Sequence, residues 1–143
     1  MAGYNKFNDF VEQLCLAIHN LNTHTLKVAL ARSTDPPVAT DTILANITQP
    51  TGTGYAPVDT LNTLAESPAG TATLTGTKCV FTAGAGDWLS FRYVILYNDD
   101  ATSPADALIA WWDYAADLTL GNGETFSVKF NNSDTTGTIL TLT

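Results

Sequence analysis

Apolar residues recur at helical spacing only once along the chain. Phe7, Phe10, Val11, Leu14, Ile18 and Leu21 recur at the three-and-four spacing of one helix face, with Asp9, Glu12, Gln13 and Asn20 between them. This predicts one amphipathic helix over residues 5–20. Asn5 and Asn8 are both suitable N-caps, acids occupy the first turn, and the end is expected between His19 and Asn22. From Thr25 the period shortens to two. Leu26, Val28 and Leu30 alternate with Lys27, Ala29 and Ala31, the pattern of a half-buried strand, and Asp35-Pro36-Pro37 ends it. Residues 38–48 offer too few positions to separate a strand from a helical turn.

Residues 49–70 carry Pro50, Gly52, Gly54, Pro57, Pro68 and Gly70 among threonines, which predicts a long loop or arm tacked down by Tyr55, Leu61 and Leu64. The main run of strands is expected over residues 71–143, at 71–75, 78–83, 89–98, 107–114, 124–130 and 137–142. Turn residues separate them: Gly76, Gly84 and Gly86, Ser103-Pro104, Asn122-Gly123, and Asn131 to Asp134. Regular strands without intervening helices predict a mostly β fold, an antiparallel β-sandwich or jelly-roll-like domain with one N-terminal amphipathic α-helix. The whole chain, 1–143, reads as a single domain.

Two strands stand apart. In 89–98, Phe91, Tyr93, Ile95 and Tyr97 share one face while Val94 and Leu96 make the other apolar. In 107–114, Leu108, Ala110, Trp112 and Tyr114 oppose Ile109 and Trp111. Strands apolar on both faces are covered on both, so these two are expected at the centre of a sheet. By this alternation Trp112 and Tyr114 are interior, whereas Trp88, in a turn beside Gly86 and Asp87, is the exposed ring.

Charge narrows the partners. Six Lys and Arg against fourteen Asp and Glu give a net charge of −8. Such a chain repels phosphate backbones and anionic membranes, so neither nucleic acid nor membrane is an expected partner. No run of apolar residues has the length of a membrane span, and MAGYNKFNDF has neither the basic region nor the apolar run of a secretion signal. Cys15 and Cys79 lack C-x-x-C spacing and are expected as buried free thiols.

Candidate chemistry is sparse. The sequence holds no nucleophile elbow, phosphate loop, dinucleotide fingerprint or H-E-x-x-H. No catalytic residue, cofactor or metal ligand is assigned, and no enzymatic activity is expected. His19 is placed at the last helical carbonyls or on the surface. Asp99, Asp100 and Asp106 flank the turn between the two best strands, where turn aspartates bond their own backbone; their spacing matches no calcium loop. The candidate interaction residues are Tyr55 in the arm, Trp88 as a ring for ligand stacking, and Asp99 and Asp100 beside it.

NKFNDFVEQL, LANIT, FRYVILYND, ALIAWWDY, LGNGETFSVKF and GTILTL occur in that order from residue 5 to residue 142. Taken together the chain resembles small structural proteins of tailed bacteriophages. That resemblance rests on packing and turn patterns across the whole chain, with no catalytic signature. It implies a non-enzymatic virion protein made in the host cytoplasm, a capsid decoration or cement protein seated on the capsid surface. The implied partners are the major capsid protein and further copies of itself in a homo-oligomer, a trimer being one such form. A tail or fibre component is the nearest relative reading, and a glycan- or receptor-binding module is the alternative.

Overall fold

In the computed structural model, which describes residues 2–143, the chain forms ten strands and one α-helix. The order is β1 (Asn5–Lys6), α1 (Asp9–Cys15), β2 (Leu26–Ala31), β3 (Val58–Asp59), β4 (Thr63–Glu66), β5 (Ala72–Thr77) and β6 (Cys79–Thr82). There follow β7 (Phe91–Thr102), β8 (Ala105–Leu118), β9 (Thr125–Val128) and β10 (Thr136–Leu142). The fold is mostly β and every strand pairing is antiparallel. A five-stranded sheet runs β1-β8-β7-β2-β3, a three-stranded sheet β10-β5-β4, and β6 pairs with β9 alone. No helix among the described residues is long and apolar enough to cross a membrane.

The large sheet is apolar on both faces, as β7 and β8 require. Leu26, Val28, Leu30, Val94 and Leu96 point to one side and pack with Leu74, Phe81 and Ile139 of the smaller sheets, with Phe130 of the 3-10 turn Phe130–Asn132 and with Phe10 of α1. This is the sandwich-like core. Ala29, Ala31, Ile95 and Tyr97 point to the other side, where Phe7, Ile47 and the partly buried Leu44 cover them. Leu44–Asn46 is a single 3-10 turn, which settles the ambiguous 38–48 segment as a lid on the second face.

Several expectations are corrected. The helix spans Asp9–Cys15 and not 5–20. Asn5 lies instead in β1 opposite Trp111, and Asn8 precedes the helix without a side-chain capping bond. At the other end Ile18 N donates to Gln13 O (2.9 Å) and Ala17 N to Leu14 O (3.2 Å). This is a Schellman stop, with Ala17 in the left-handed region at φ 60° where glycine is usual. Residues 49–70 are no free arm. They contain β3 and β4, Thr60 is fully buried, and Thr53 O accepts both Gly84 N (2.7 Å) and Trp88 Nε1 (2.9 Å).

Bulges explain the reversed faces in β8. Leu96 pairs with Ala110 but Tyr97 with Leu108, so one extra residue, Ile109, enters β8 and flips the alternation. Ile109, Ala110 and Trp112 therefore pack toward the main core, and Leu108 and Trp111 toward the second. Further on, Phe91 pairs with Leu118 and Tyr93 with Asp113. Residues 114–117 consequently stand out from the sheet, and Tyr114 is half exposed at 50% rather than interior. Asn122-Gly123 is also not the mirror-image hairpin turn. Glu124 N donates to Gly121 O (2.9 Å) and, of the two central residues, only Gly123 has positive φ, at +79°, the signature of a type II turn.

Two stability outcomes follow. Ala17→Gly removes the left-handed penalty at the helix stop, and after the entropy glycine adds to the unfolded chain the protein is expected to gain about 0.5–1 kcal/mol in urea denaturation. Trp88→Ala is expected to cost ~3–5 kcal/mol, because a fully enclosed ring is lost with its bond to Thr53. A loss below ~1 kcal/mol would place Trp88 outside the core.

Candidate functional site

The four interaction residues read from the sequence do not form a site. Trp88 is 2% exposed, enclosed by Gly52, whose position leaves no room for a Cβ against the indole, and by Tyr55 edge-on at 5.2 Å. Tyr55 joins this packing. Its hydroxyl accepts from Leu30 N (3.0 Å) and donates to Gln49 Oε1 (2.8 Å), and burial pushes its pKa up. Asp99 and Asp100 lie within β7 and not in a turn. Asp99 pairs with Lys27 Nζ (2.7 Å), and Asp100 accepts Thr25 N (2.7 Å), which lowers its pKa. These carboxylates fasten β2 to β7. Among the described residues no three His, Cys, Asp or Glu side chains are close enough to share a metal ion.

The two thiols differ. Cys79 is buried, and burial raises its pKa to about 12. Cys15 is exposed, contrary to the expectation that both are buried. It sits on the short helix beyond the reach of the core that Phe10 and Leu14 enter.

His19 is also not on the surface. It is 4% exposed, packed against Phe10 at 5.3 Å. The Asn98 amide nitrogen donates to His19 Nδ1 (3.2 Å) and to His24 Nδ1 (3.0 Å), while Asn98 Oδ1 accepts Asp100 N (3.1 Å). Asn98 thus ties the segment after the helix to the end of β7. Burial lowers the pKa of His19, which favours its neutral form. His19 Nε2 is buried without a partner.

An open cleft lies elsewhere. A cleft of about 750 Å³ runs between the N-terminal segment Ala2–Tyr4, the far end of β8, β9, the turn at Phe130–Asn132, and β10. Its walls are aromatic. Tyr4 meets Trp112 at 5.7 Å and 72°, Trp112 meets Phe130 at 6.1 Å and 61°, and Tyr114 meets Phe126 at 5.7 Å and 85°. Ser127, Lys129, Asn131 and Asn132 supply the polar part, and no carboxylate lines it.

Local sequence chemistry builds these walls. Gly76 and Gly137 lack the Cβ that would strike the Phe130 ring and the Phe130 carbonyl, so Phe130 can seat beneath β10. Asn131 and Asn132 take left-handed φ of 49° and 56°, a conformation Asn tolerates better than most residues. The Arg92 guanidinium grips Asp113 through two bonds (2.8 and 3.0 Å) and holds its pKa below the usual carboxylate range. Asp113 Oδ1 also accepts Ala115 N (2.7 Å), fixing the bulge that projects Tyr114. Tyr4, Phe126 and Phe130 were not singled out by sequence. The available signal was Asp113 and Asp117 interrupting an apolar strand, since both faces of a fully buried strand exclude charge.

No family model, no curated protein and no solved structure matches the chain. Fold and site together define a β-rich protein with an open aromatic cleft.

Acid is expected to loosen the Asn98 clasp. Burial lowers the pKa of His19 from 6.5 to about 4. As pH falls from 6.5 toward 4 the unfolded chain takes up this proton first, so stability declines across that window and this contribution levels off below pH 4. The urea midpoint measured from pH 7 to 4 should fall accordingly, and His19→Gln, which offers a non-titrating acceptor, should flatten the slope.

Proposed function

We propose that the protein is a non-enzymatic structural component of a tailed-bacteriophage virion. In this reading it is a decoration (cement) protein that binds the major capsid protein on the capsid surface and is made in the host cytoplasm. The observation that carries a docking role is the cleft. Trp112, Tyr114, Tyr4, Phe126 and Phe130 converge on an opening that no described residue fills. Interfaces concentrate their binding energy in such aromatic clusters. The virion setting is supported by the ordered segments from NKFNDFVEQL to GTILTL, and a net charge of −8 suits a position away from packaged DNA. The sheet edges left open by β4 and β10 suit assembly into a homo-oligomer.

A glycan-binding module is the second reading, favoured by the same rings. Sugars stack on flat ring faces, whereas adjacent rings here lie 61–85° to one another. That geometry makes a socket for a side chain rather than a platform for a pyranose.

Mass spectrometry of purified particles should find copies of this chain in numbers of the same order as the major capsid protein. Tyr114→Ala and Trp112→Ala should each weaken rebinding to stripped particles by about 10–100-fold, with thermal melting confirming the fold. Absence from particles overturns the virion reading, and full rebinding by both variants overturns the role of the cleft. Binding on a glycan array that Tyr114→Ala abolishes would establish the second reading instead.

A further inference from the structure

One wall of the cleft is a strand edge. Residues Phe126–Lys129 line it consecutively, although alternate side chains of a strand point to opposite faces. A continuous run therefore marks backbone. β9 pairs with β6 alone, in the register Cys79–Val128, Val80–Ser127, Phe81–Phe126 and Thr82–Thr125. Ala83 N donates to Glu124 O (2.9 Å), which places the first inter-strand bond of the ladder at the 83–124 position. Bonded and non-bonded pairs alternate in an antiparallel ladder, so Phe126 and Val128 bond across to β6 while Thr125 and Ser127 direct their N–H and C=O groups away from it. Outside that ladder, no group among the described residues bonds the backbone of Thr125 or Ser127.

Resting on the docking reading above, we propose that the cleft takes an extended segment of a different protein, added as a strand to the free edge of β9. The segment carries apolar side chains at alternate positions and Lys or Arg at its flanks. The edge supplies main-chain hydrogen bonds, and the tilted rings of Trp112, Tyr114 and Phe130 receive every second side chain. Charge selects the occupant. At this edge the net charge of −8 draws in a cation-flanked segment in preference to the like-charged edge of a second copy, whose self-assembly runs through β4 and β10 instead. Within the cleft the lone cation, Lys129, is neutralised by Asp134 at 2.6 Å, so the seated portion is apolar and uncharged.

The test uses the full chain and a nine-residue synthetic peptide that alternates Val with Thr between terminal lysines. Amide exchange and the Trp112 indole are followed by NMR. The peptide should slow exchange at Thr125 and Ser127 and shift the Trp112 indole. The same peptide N-methylated at alternate amides should bind about tenfold more weakly or worse. Ser127→Pro removes an N–H that β6 does not use, at an edge position where proline is tolerated, and with thermal melting confirming the fold peptide affinity should drop by a similar factor; Ser127→Ala should leave it unchanged. A Trp112 shift with unaltered exchange at Thr125 and Ser127 overturns the strand while the docking reading stands. Protection of those amides that grows with protein concentration and needs no peptide makes the occupant a second copy and overturns the proposal. Silence at both places overturns the strand and the cleft alike.

Discussion

A sheet that is apolar on both faces cannot stand against water on either. Val28, Leu30, Val94 and Leu96 on one side and Ala29, Ile95 and Tyr97 on the other are all nearly or fully buried, and full burial of one such aliphatic side chain is worth roughly 1.5–3 kcal/mol. Everything else in the chain is arranged to provide two covers. The smaller sheets and α1 form one; Phe7 and the Leu44–Ile47 segment form the other. The second cover explains why residues 5–7 leave the helical pattern. Phe7 is fully buried beneath the sheet, against Trp111 at 4.5 Å, and its amide donates to Ile109 O (3.2 Å). A helix beginning at residue 5 would carry Phe7 away from that position, and the burial of one large ring outweighs one further helical turn.

The same demand leaves the cleft open. Two short sheets stand over a much longer one, since β7 and β8 run twelve and fourteen residues while β9 has four. Where β8 continues past Asp113, the bulge at 114–117 lifts the strand outward before Leu118 returns to the core. Phe126 and Phe130 consequently meet Tyr114 and Trp112 at the boundary of the core, each with one side packed and one side open to the cleft.

Period was legible in the sequence and phase was not. The strands from Leu26 onward, the two-faced character of β7 and β8, and a helix containing Phe10 and Leu14 all follow from spacing. What failed were features that shift phase without leaving a residue-type mark. Ala17 stops the helix in a conformation normally announced by glycine. Ile109 enters as an extra residue and inverts the faces of β8, though isoleucine is ordinary strand composition. Trp88 lies among turn residues yet is enclosed, because Gly52 and Tyr55 arrive from a segment whose proline and glycine content reads as loose. The candidate site inherited these errors: Tyr55, Trp88, Asp99 and Asp100 hold the fold together, while Tyr114, assigned to the interior, is exposed at the cleft, and Trp112 packs on the core as expected with one edge open to the cleft.

Charge and shape then divide the labour of recognition. The acidic residues near the cleft are already engaged, Asp113 by Arg92 and Asp134 by Lys129, and exposed ion pairs of this kind contribute little affinity of their own. They act at distance, through a field that biases which surfaces approach and in what orientation, and that field weakens with salt. On the docking proposal, affinity comes from the cleft, where aromatic area would be removed from water and the amides of Thr125 and Ser127 would gain partners. A substitution on the acidic surface should therefore alter the rate of encounter, whereas one in the cleft alters how long the complex lasts.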